Sequence, residues 1–428
     1  MREGARVQSA IEILDLWESQ RSPLDRICHD YFRAKRYMGA KDRQRVSSLV
    51  YETTRNRGLL MWWAKNLRLP FTPRSFLLIW LRDQPLESYF NGTLYHPAPI
   101  TNQERIALKK CPSDLRDGKE IPLGALYNFP LWLEAPLHQA FPQTLTQELE
   151  ALSQPAPFDL RVNPLKKTRD QAQKELTNEG YETEPMLYSP YGLRSLRRFP
   201  LDQLRLFKQG EIEVQDEGSQ LVCSLVEAHP SHQVLDLCAG AGGKTLLLAA
   251  IMKNRGHIVA TDVHDKRLMN CKKRLKRAGV QNAHCQVIIH ESDPSLAVYE
   301  NKMDRVLVDA PCSGTGTWRR NPDLKWRLAP EDLDELVLKQ RDLLKAAATY
   351  VKPGGRLIYA TCSFLKEENE NQIDKFCTEN LEFTVDSLES VWNSISDRAC
   401  PFKGDYLRMT PYVTGTDGFF AAVLRKKP

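Results

Sequence analysis

Two short segments of this chain carry cysteines in company that suits covalent chemistry. Asp309-Ala310-Pro311-Cys312-Ser313-Gly314-Thr315-Gly316 follows the apolar run 305–308, and Thr361-Cys362-Ser363 follows the run 356–360. A thiolate is a strong nucleophile, and a nearby carboxyl group stabilises charge that develops on an attacked ring. A carboxyl and two thiols beside a methyl donor suggest one reaction in particular. C5 of cytosine is a poor nucleophile until a thiolate adds to C6, and the resulting enamine attacks a methyl sulfonium while the carboxyl holds charge near N3 and N4. The C5 proton must then leave and the sulfur must be eliminated, a release that a second thiol can assist. Spacing alone does not decide which cysteine attacks. A single such cysteine is, on base rates, a buried structural thiol. Two in adjacent strand-end loops reverse that preference.

A methyl donor needs a binding loop, and the chain supplies a candidate. Val234-Leu235-Asp236-Leu237 reads as a buried strand, followed by the turn Cys238-Ala239-Gly240-Ala241-Gly242-Gly243-Lys244 and an apolar helix over 245–252. Glycines there let the backbone approach a ligand, and a helix N-terminus favours negative groups. The turn is not a Walker A loop, because the required glycine five positions before Gly243 is Cys238. Asp262, ending a second strand, is placed to accept hydrogen bonds from ribose hydroxyls. An adenosine cofactor follows, with a dinucleotide and S-adenosylmethionine both open at this point.

Elements must carry these residues to one place. Strands over 234–237, 257–261, 305–308 and 356–360 alternate with helices, including a long one with Leu333, Leu336, Gln340, Leu343, Ala347 and Val351 on one face. That alternation predicts a mostly parallel sheet covered on both faces, with ligands at the carboxyl ends of the strands. Residues 1–150 read as helices, with Val7, Ile11, Leu14 and Trp17 on one face, and Gln154-Pro155-Ala156-Pro157 as a linker. Short strands and one helix over 151–215 predict a small α+β subdomain. The expected architecture is α/β: an all-α domain over 1–150, the α+β unit over 151–215, and a Rossmann-like domain over 216–428.

Composition narrows the classes. At 428 residues two or three units are expected, and 42% hydrophobic residues argue against global disorder. No apolar run is long enough to cross a bilayer and no signal peptide is evident, so the cytoplasm is the default location. Ten cysteines are scattered without a Cys-x-x-Cys pair, and no metal is expected. The net charge of +6 permits a polyanionic partner without requiring one.

At these motifs the sequence resembles the Fmu/Sun family of RNA (cytosine-5)-methyltransferases, over nearly the whole chain. Residues 236–245 look like the family's cofactor loop, although Ala-Pro is more usual where Gly240-Ala241 stand. Residues 309–316, continuing through Arg319-Arg320-Asn321-Pro322-Asp323, match its Pro-Cys motif, and 361–363 its Thr-Cys motif. Gln215-Asp216-Glu217-Gly218-Ser219-Gln220 and Asp417-Gly418-Phe419-Phe420 match flanking motifs. The resemblance implies S-adenosylmethionine as cofactor, held by Asp236, Cys238, Ala239, Gly240, Ala241, Gly242, Gly243, Lys244, Asp262 and Asp309. It also implies Cys362 as nucleophile and Cys312 as the thiol that aids release, with Asp309 polarising the base. An acid contacting adenine is expected in His290-Glu291-Ser292-Asp293, with Asp293 chosen and Glu291 the alternative. Gly39-Ala40-Lys41-Asp42-Arg43 and 46–57 resemble an antitermination-factor-like RNA-binding domain. That branch points to 16S ribosomal RNA as substrate, with transfer RNA as the alternative and a monomer as the default state.

Other features weigh less. Seven Lys or Arg within 266–277 read as a solvated helix face, with RNA backbone contact the alternative. Lys325-Trp326-Arg327 is an even choice between RNA contact and packing, and Trp62-Trp63 reads as packing. Two rival functions stand beside the main one. A non-catalytic ribosome-assembly factor has no reason to keep Asp309, Cys312 and Cys362 together. An amino-group methyltransferase commonly has Asn/Asp-Pro-Pro-Tyr/Phe where this chain has Asp-Ala-Pro-Cys.

Overall fold

The computed structural model describes every residue except Arg21, Lys119 and Asp397. The chain divides into two compact units, Met1–Ser153 with Arg320–Ala329, and Gln154–Arg319 with Pro330–Pro428. Among the described residues no helix is long and apolar enough to cross a membrane.

The first unit is helical, led by Glu3–Gln20, Leu24–Ala34, Ala40–Arg55, Arg57–Asn66 and Pro73–Trp80. Val7, Leu14 and Trp17 of the first helix pack with Val46, Leu49 and Val50 of the third. This is the apolar face that helical spacing predicts. Trp62 and Trp63 meet edge to face with centroids 4.8 Å apart, and the Trp63 indole N–H donates to the Leu115 carbonyl at 2.8 Å. Both are packing residues.

The segment Arg320–Ala329, read from sequence as part of the catalytic domain, belongs to this helical unit. The Leu24 amide donates to Asp323 at 3.2 Å, and Trp326 packs at the edge of the helical core. Lys325 is buried there, and burial pulls its ammonium down to about 7. A buried lysine does not present a charge to RNA, so packing wins at Lys325.

The second unit opens with a four-stranded antiparallel sheet: β1 (Phe158–Val162), β2 (Glu184–Pro185), β3 (Gly192–Ser195) and β4 (Ile212–Val214), in the order β2-β3-β1-β4. The helix Arg169–Asn178 begins at a Thr168 capping box. The larger sheet holds β5 (Gln233–Asp236), β6 (His257–Asp262), β7 (Ala283–Val287), β8 (Met303–Asp309), β9 (Val351–Thr361), β10 (Phe383–Val385), β11 (Leu407–Met409) and β12 (Phe419–Lys426). Its path is β10-β12-β9-β8-β5-β6-β7, with β11 paired to β12. The strands from β7 to β9 are parallel, whereas β12 is antiparallel to β9. Val306, Leu307 and Val308 are fully buried, as are Leu357, Ile358, Tyr359 and Ala360. Strands covered on both faces lose the alternating pattern and read as unbroken apolar runs.

Strand order reverses between β5 and β8, so a crevice opens at their carboxyl ends. Asp236, the last residue of β5, lies wholly buried beneath it. One carboxyl oxygen accepts from the Thr245 hydroxyl at 2.7 Å, and the other has no partner. Burial pushes this carboxyl up to about 7, against the Thr245 bond and with the help of Asp309. Since an aspartate in the unfolded chain titrates near about 3.9, the folded protein keeps a proton there that the unfolded chain has lost. Stability therefore falls as pH rises through the window from about 4 to 7 and levels off above it. Asp236→Asn is neutral at every pH and should flatten that slope. We expect its urea midpoint to decline less between pH 5 and 7 than that of the wild type, and equal slopes would contradict the account.

Candidate active site

The crevice is a cavity of about 610 Å³ lined by backbone and side chains from the ends of β4, β5, β6, β7 and β8. Its floor is the turn after β5, where Cys238, Ala239, Gly240, Ala241, Gly243 and Lys244 face the opening. Gly240 sits at φ +55° and Gly242 at φ +80°, which L side chains adopt at a cost. A Cβ at Gly242 would meet the Cys271 sulfur at 2.3 Å, so this glycine lets the turn press on the helix Asp265–Ala278. A Cβ at Gly240 would find its nearest neighbour 3.9 Å away, and one at Gly243 4.0 Å away, so both positions open onto free space.

Asp262, at the end of β6, fixes the other wall. One oxygen accepts from the Gly240 amide at 2.9 Å and the other from the His264 amide at 2.8 Å. Each carboxylate oxygen has a second lone pair, which leaves acceptor capacity for ribose hydroxyls. Ile288, Leu237, Leu336 and Leu343 give one part of the lining an apolar face. A glycine floor, an acid for a sugar diol and an apolar slot fit an adenosine-bearing ligand.

Not every residue expected at the cofactor reaches the cavity. Asp236 and Gly242 support the turn from behind and do not line it. Asp293 is turned away: its carboxylate accepts from the Ile289 amide at 2.7 Å and the Ser295 amide at 2.9 Å, capping the short turn Pro294–Tyr299. These bonds hold its carboxyl down to about 2. Glu291, the alternative, does line the cavity, paired with Lys339. Although burial raises the Glu291 carboxyl, the Lys339 ammonium outweighs it and keeps the group charged.

Asp309, the last residue of β8, also lines the cavity. The Lys244 ammonium sits 2.6 Å from its carboxylate and 5.7 Å from the centre of the Phe419 ring. Burial alone would lower the lysine, but Asp309 outweighs burial and holds its ammonium up. The sequence places Lys244 in the cofactor loop, yet its ammonium is paired with the carboxyl group of the catalytic strand.

Beyond Asp309 the chain turns through Pro311 to Cys312. The Cys312 and Cys362 sulfurs lie 3.5 Å apart, with the Gly316 amide donating to the Cys362 carbonyl at 2.9 Å. The Cys362 sulfur beside it and then burial push the Cys312 thiol well up, so Cys312 stays a neutral S–H donor. The structure thus brings Asp309, Cys312 and Cys362 together at two neighbouring strand ends. Among the described residues no group of His, Cys, Asp and Glu has the arrangement of a metal site.

Some contributors have no obvious sequence signal. Arg161 of β1 is buried, and its guanidinium donates to Gln215 and to the Gly243 carbonyl, both at 2.6 Å, bracing the glycine turn. Within the basic run 266–277, Arg267 and Arg274 line the cavity, and Arg274 and Arg277 both pair with Glu213. That run is therefore not uniformly a solvated face. An arginine aimed inward is indistinguishable in sequence from one in solvent.

The chain is similar to known proteins. A family model described as 16S rRNA methyltransferase RsmB/F matches residues 223–425, and an RsmF/B-like ferredoxin-like domain matches residues 129–201. The probable ribosomal RNA small subunit methyltransferase B of Synechocystis sp. is 35% identical over 318 residues, covering 73% of this chain and 70% of that protein. Ribosomal RNA small subunit methyltransferase B of Photorhabdus laumondii is 34% identical over 301 residues, covering 70% of this chain and 66% of its own length. Among solved structures, PH0851 superposes over 100% of this chain and 99% of its own at 26% identity, with a TM-score of 0.80. A methyltransferase homolog protein from Pyrococcus horikoshii is 28% identical, with a TM-score of 0.58 over 70% of this chain and 96% of its own. With these relatives and this site, the chain belongs to the RsmB/F branch of the Fmu/Sun family and is an RNA methyltransferase whose cofactor is S-adenosylmethionine.

Proposed function

We propose that the protein methylates C5 of a cytosine in 16S ribosomal RNA through a covalent bond between Cys362 and C6 of the base. The observation that carries this reading is the placement of two thiols 3.5 Å apart next to an acid, Asp309, that lines the cofactor cavity. Methylation of an exocyclic amine needs no thiol, whereas C5 methylation needs a nucleophile to make C5 reactive. The names of the relatives favour small-subunit ribosomal RNA as the substrate.

Each residue of the site has a distinct part. Bound in the cavity, S-adenosylmethionine supplies an electrophilic methyl group. The turn 238–244, Asp262 and Glu291 would hold it, Asp262 through hydrogen bonds to the ribose hydroxyls. The Cys362 sulfur forms a bond to C6, and the C5–C6 π electrons move to C5, which takes up the methyl group. Asp309, kept in place by Lys244, hydrogen-bonds the N3/N4 edge as charge develops there. After transfer the C5 proton passes to a water molecule from solvent, the electrons of its bond re-form the C5–C6 double bond, and the Cys362 sulfur leaves with the electrons of its bond to C6. Cys312, a neutral thiol, donates its S–H toward the departing sulfur and lowers the cost of the thiolate. A target base within a helix must first be flipped out.

Nucleoside mass spectrometry on 16S ribosomal RNA from cells lacking this protein tests the assignment. Wild-type enzyme should restore one 5-methylcytosine, and Cys362→Ala should lower the rate by at least about a thousandfold, as loss of a nucleophile does. Cys362→Ala with wild-type activity, or a methyl group on an exocyclic amine, would overturn the mechanism. Methylation of transfer RNA alone would overturn the substrate. Lys244→Met should lower kcat about 10- to 100-fold by leaving Asp309 without its ion-pair partner, and unchanged kcat would remove Asp309 from its assigned part.

A further inference from the structure

A buried carboxylate that touches neither cofactor cavity nor sulfur ties the two cysteine loops to each other. Glu368 lies in the short turn Lys366–Glu368 after β9 and is fully buried. One of its oxygens accepts from the Ser313 amide at 2.8 Å and from the Gln340 side-chain amide at 3.0 Å. The other accepts from the Ser313 hydroxyl at 2.5 Å and from the Ser363 hydroxyl. Ser313 follows Cys312, and Ser363 follows Cys362. Gln340 reaches further and donates to the Pro311 carbonyl at 2.9 Å, so the residues on both sides of Cys312 are braced from one place. The neighbouring Asn369 donates to the Ser363 carbonyl at 2.9 Å and accepts from the Thr361 hydroxyl at 2.6 Å, bracing both sides of Cys362.

We infer that Glu368 is the positioning residue that sets the distance between the two reactive sulfurs. It rests on the proposed roles of Cys312 and Cys362, and it adds what holds them in reach of each other. The two loops share the backbone bond from the Gly316 amide to the Cys362 carbonyl. It lies on the far side of Cys312 from the strand end, so the cysteines themselves need a further tie. A carboxylate with its four acceptor sites engaged by both loops and the helix Pro330–Tyr350 supplies that constraint. Ser313 and Ser363 also lie within 3.1 Å of each other through their hydroxyls, and that contact is oriented by the same carboxylate. Replacing Glu368 with glutamine exchanges charge-assisted bonds to both loops for weaker neutral ones, which loosens the tie between them.

Two readouts test this in the full-length protein. The first is the rate at which diamide links Cys312 to Cys362, followed by mass spectrometry of the joined peptides; the two thiols lose their hydrogens to the azo bond as the disulfide forms. The second is single-turnover methylation alongside S-adenosylmethionine affinity. In Glu368→Gln we expect both oxidation of the pair and methyl transfer to slow at least about tenfold, as misplacement of reacting groups by a fraction of an ångström does. Cofactor affinity should stay within about twofold of the wild type. Should that variant fail to fold, Ser363→Ala removes one strut with little volume change, and both rates should fall severalfold. Wild-type oxidation of the pair in the folded variant would overturn the inference, as would cofactor affinity falling in step with activity. Diamide oxidation needs no RNA, so a wrong substrate assignment would leave it intact and silence methylation alone.

Discussion

The parallel register of β8 against β9 is the constraint on which the site depends. Asp309 stands opposite Ala360, and the Ala310 amide donates to the Ala360 carbonyl at 2.9 Å. That pairing ends both strands at the same height, so the loops carrying Cys312 and Cys362 leave side by side. A slip of one residue would turn Asp309 to the opposite face of the sheet and carry Cys312 away from its neighbour. The register is held by burial: Val306, Leu307 and Val308 on one strand and Leu357 to Ala360 on the other leave no solvent-facing alternative. The antiparallel β12 covers the far edge of β9, pairing Phe420 with Thr361, and seals the outer side of the cysteine loops.

Electrostatics then couples this strand end to the cofactor turn. Lys244 starts the helix after the glycine turn, and its ammonium meets Asp309 at 2.6 Å. A buried cation without a partner is costly, and so is a carboxylate facing an apolar wall; together each answers the other. The carboxylate keeps one side toward the cavity. Arg161, itself held by Gln215, bonds the Gly243 carbonyl from the side of the small sheet, so the C-terminal end of the turn is tied from two sides.

Much of this was legible in the sequence because it lies in local patterns. The apolar runs marked four strands of the parallel sheet, and Gly240, Gly242 and Gly243 marked a turn in which the first two take up φ values that glycine prefers. Asp309, Cys312 and Cys362 stood out because two cysteines fall in loops after adjacent strands, one behind Asp-Ala-Pro and one inside Thr-Cys-Ser. The remainder depends on partners distant in the chain. Glu368 stands in the charged stretch Lys366-Glu367-Glu368, where nothing local distinguishes it from Glu367, and only its burial against Ser313 does so. Asp293 and Glu291 are two positions apart, and only the turn Pro294–Tyr299 decides that the first is consumed as its cap. For Lys325-Trp326-Arg327 the sequence left RNA contact and packing evenly open, and only the fold shows Lys325 buried.

The most direct test of the account is to identify the residue bonded to RNA. Cys312→Ser and Cys362→Ser would each be incubated with S-adenosylmethionine and 16S ribosomal RNA, denatured and digested, and the nucleotide-bearing peptide sequenced by mass spectrometry. The account predicts that Cys312→Ser accumulates a peptide with a 5-methylcytosine nucleotide on Cys362, while Cys362→Ser yields no linked peptide. A nucleotide attached to Cys312 in Cys362→Ser, with none in the other variant, would contradict the assignment of nucleophile and release thiol.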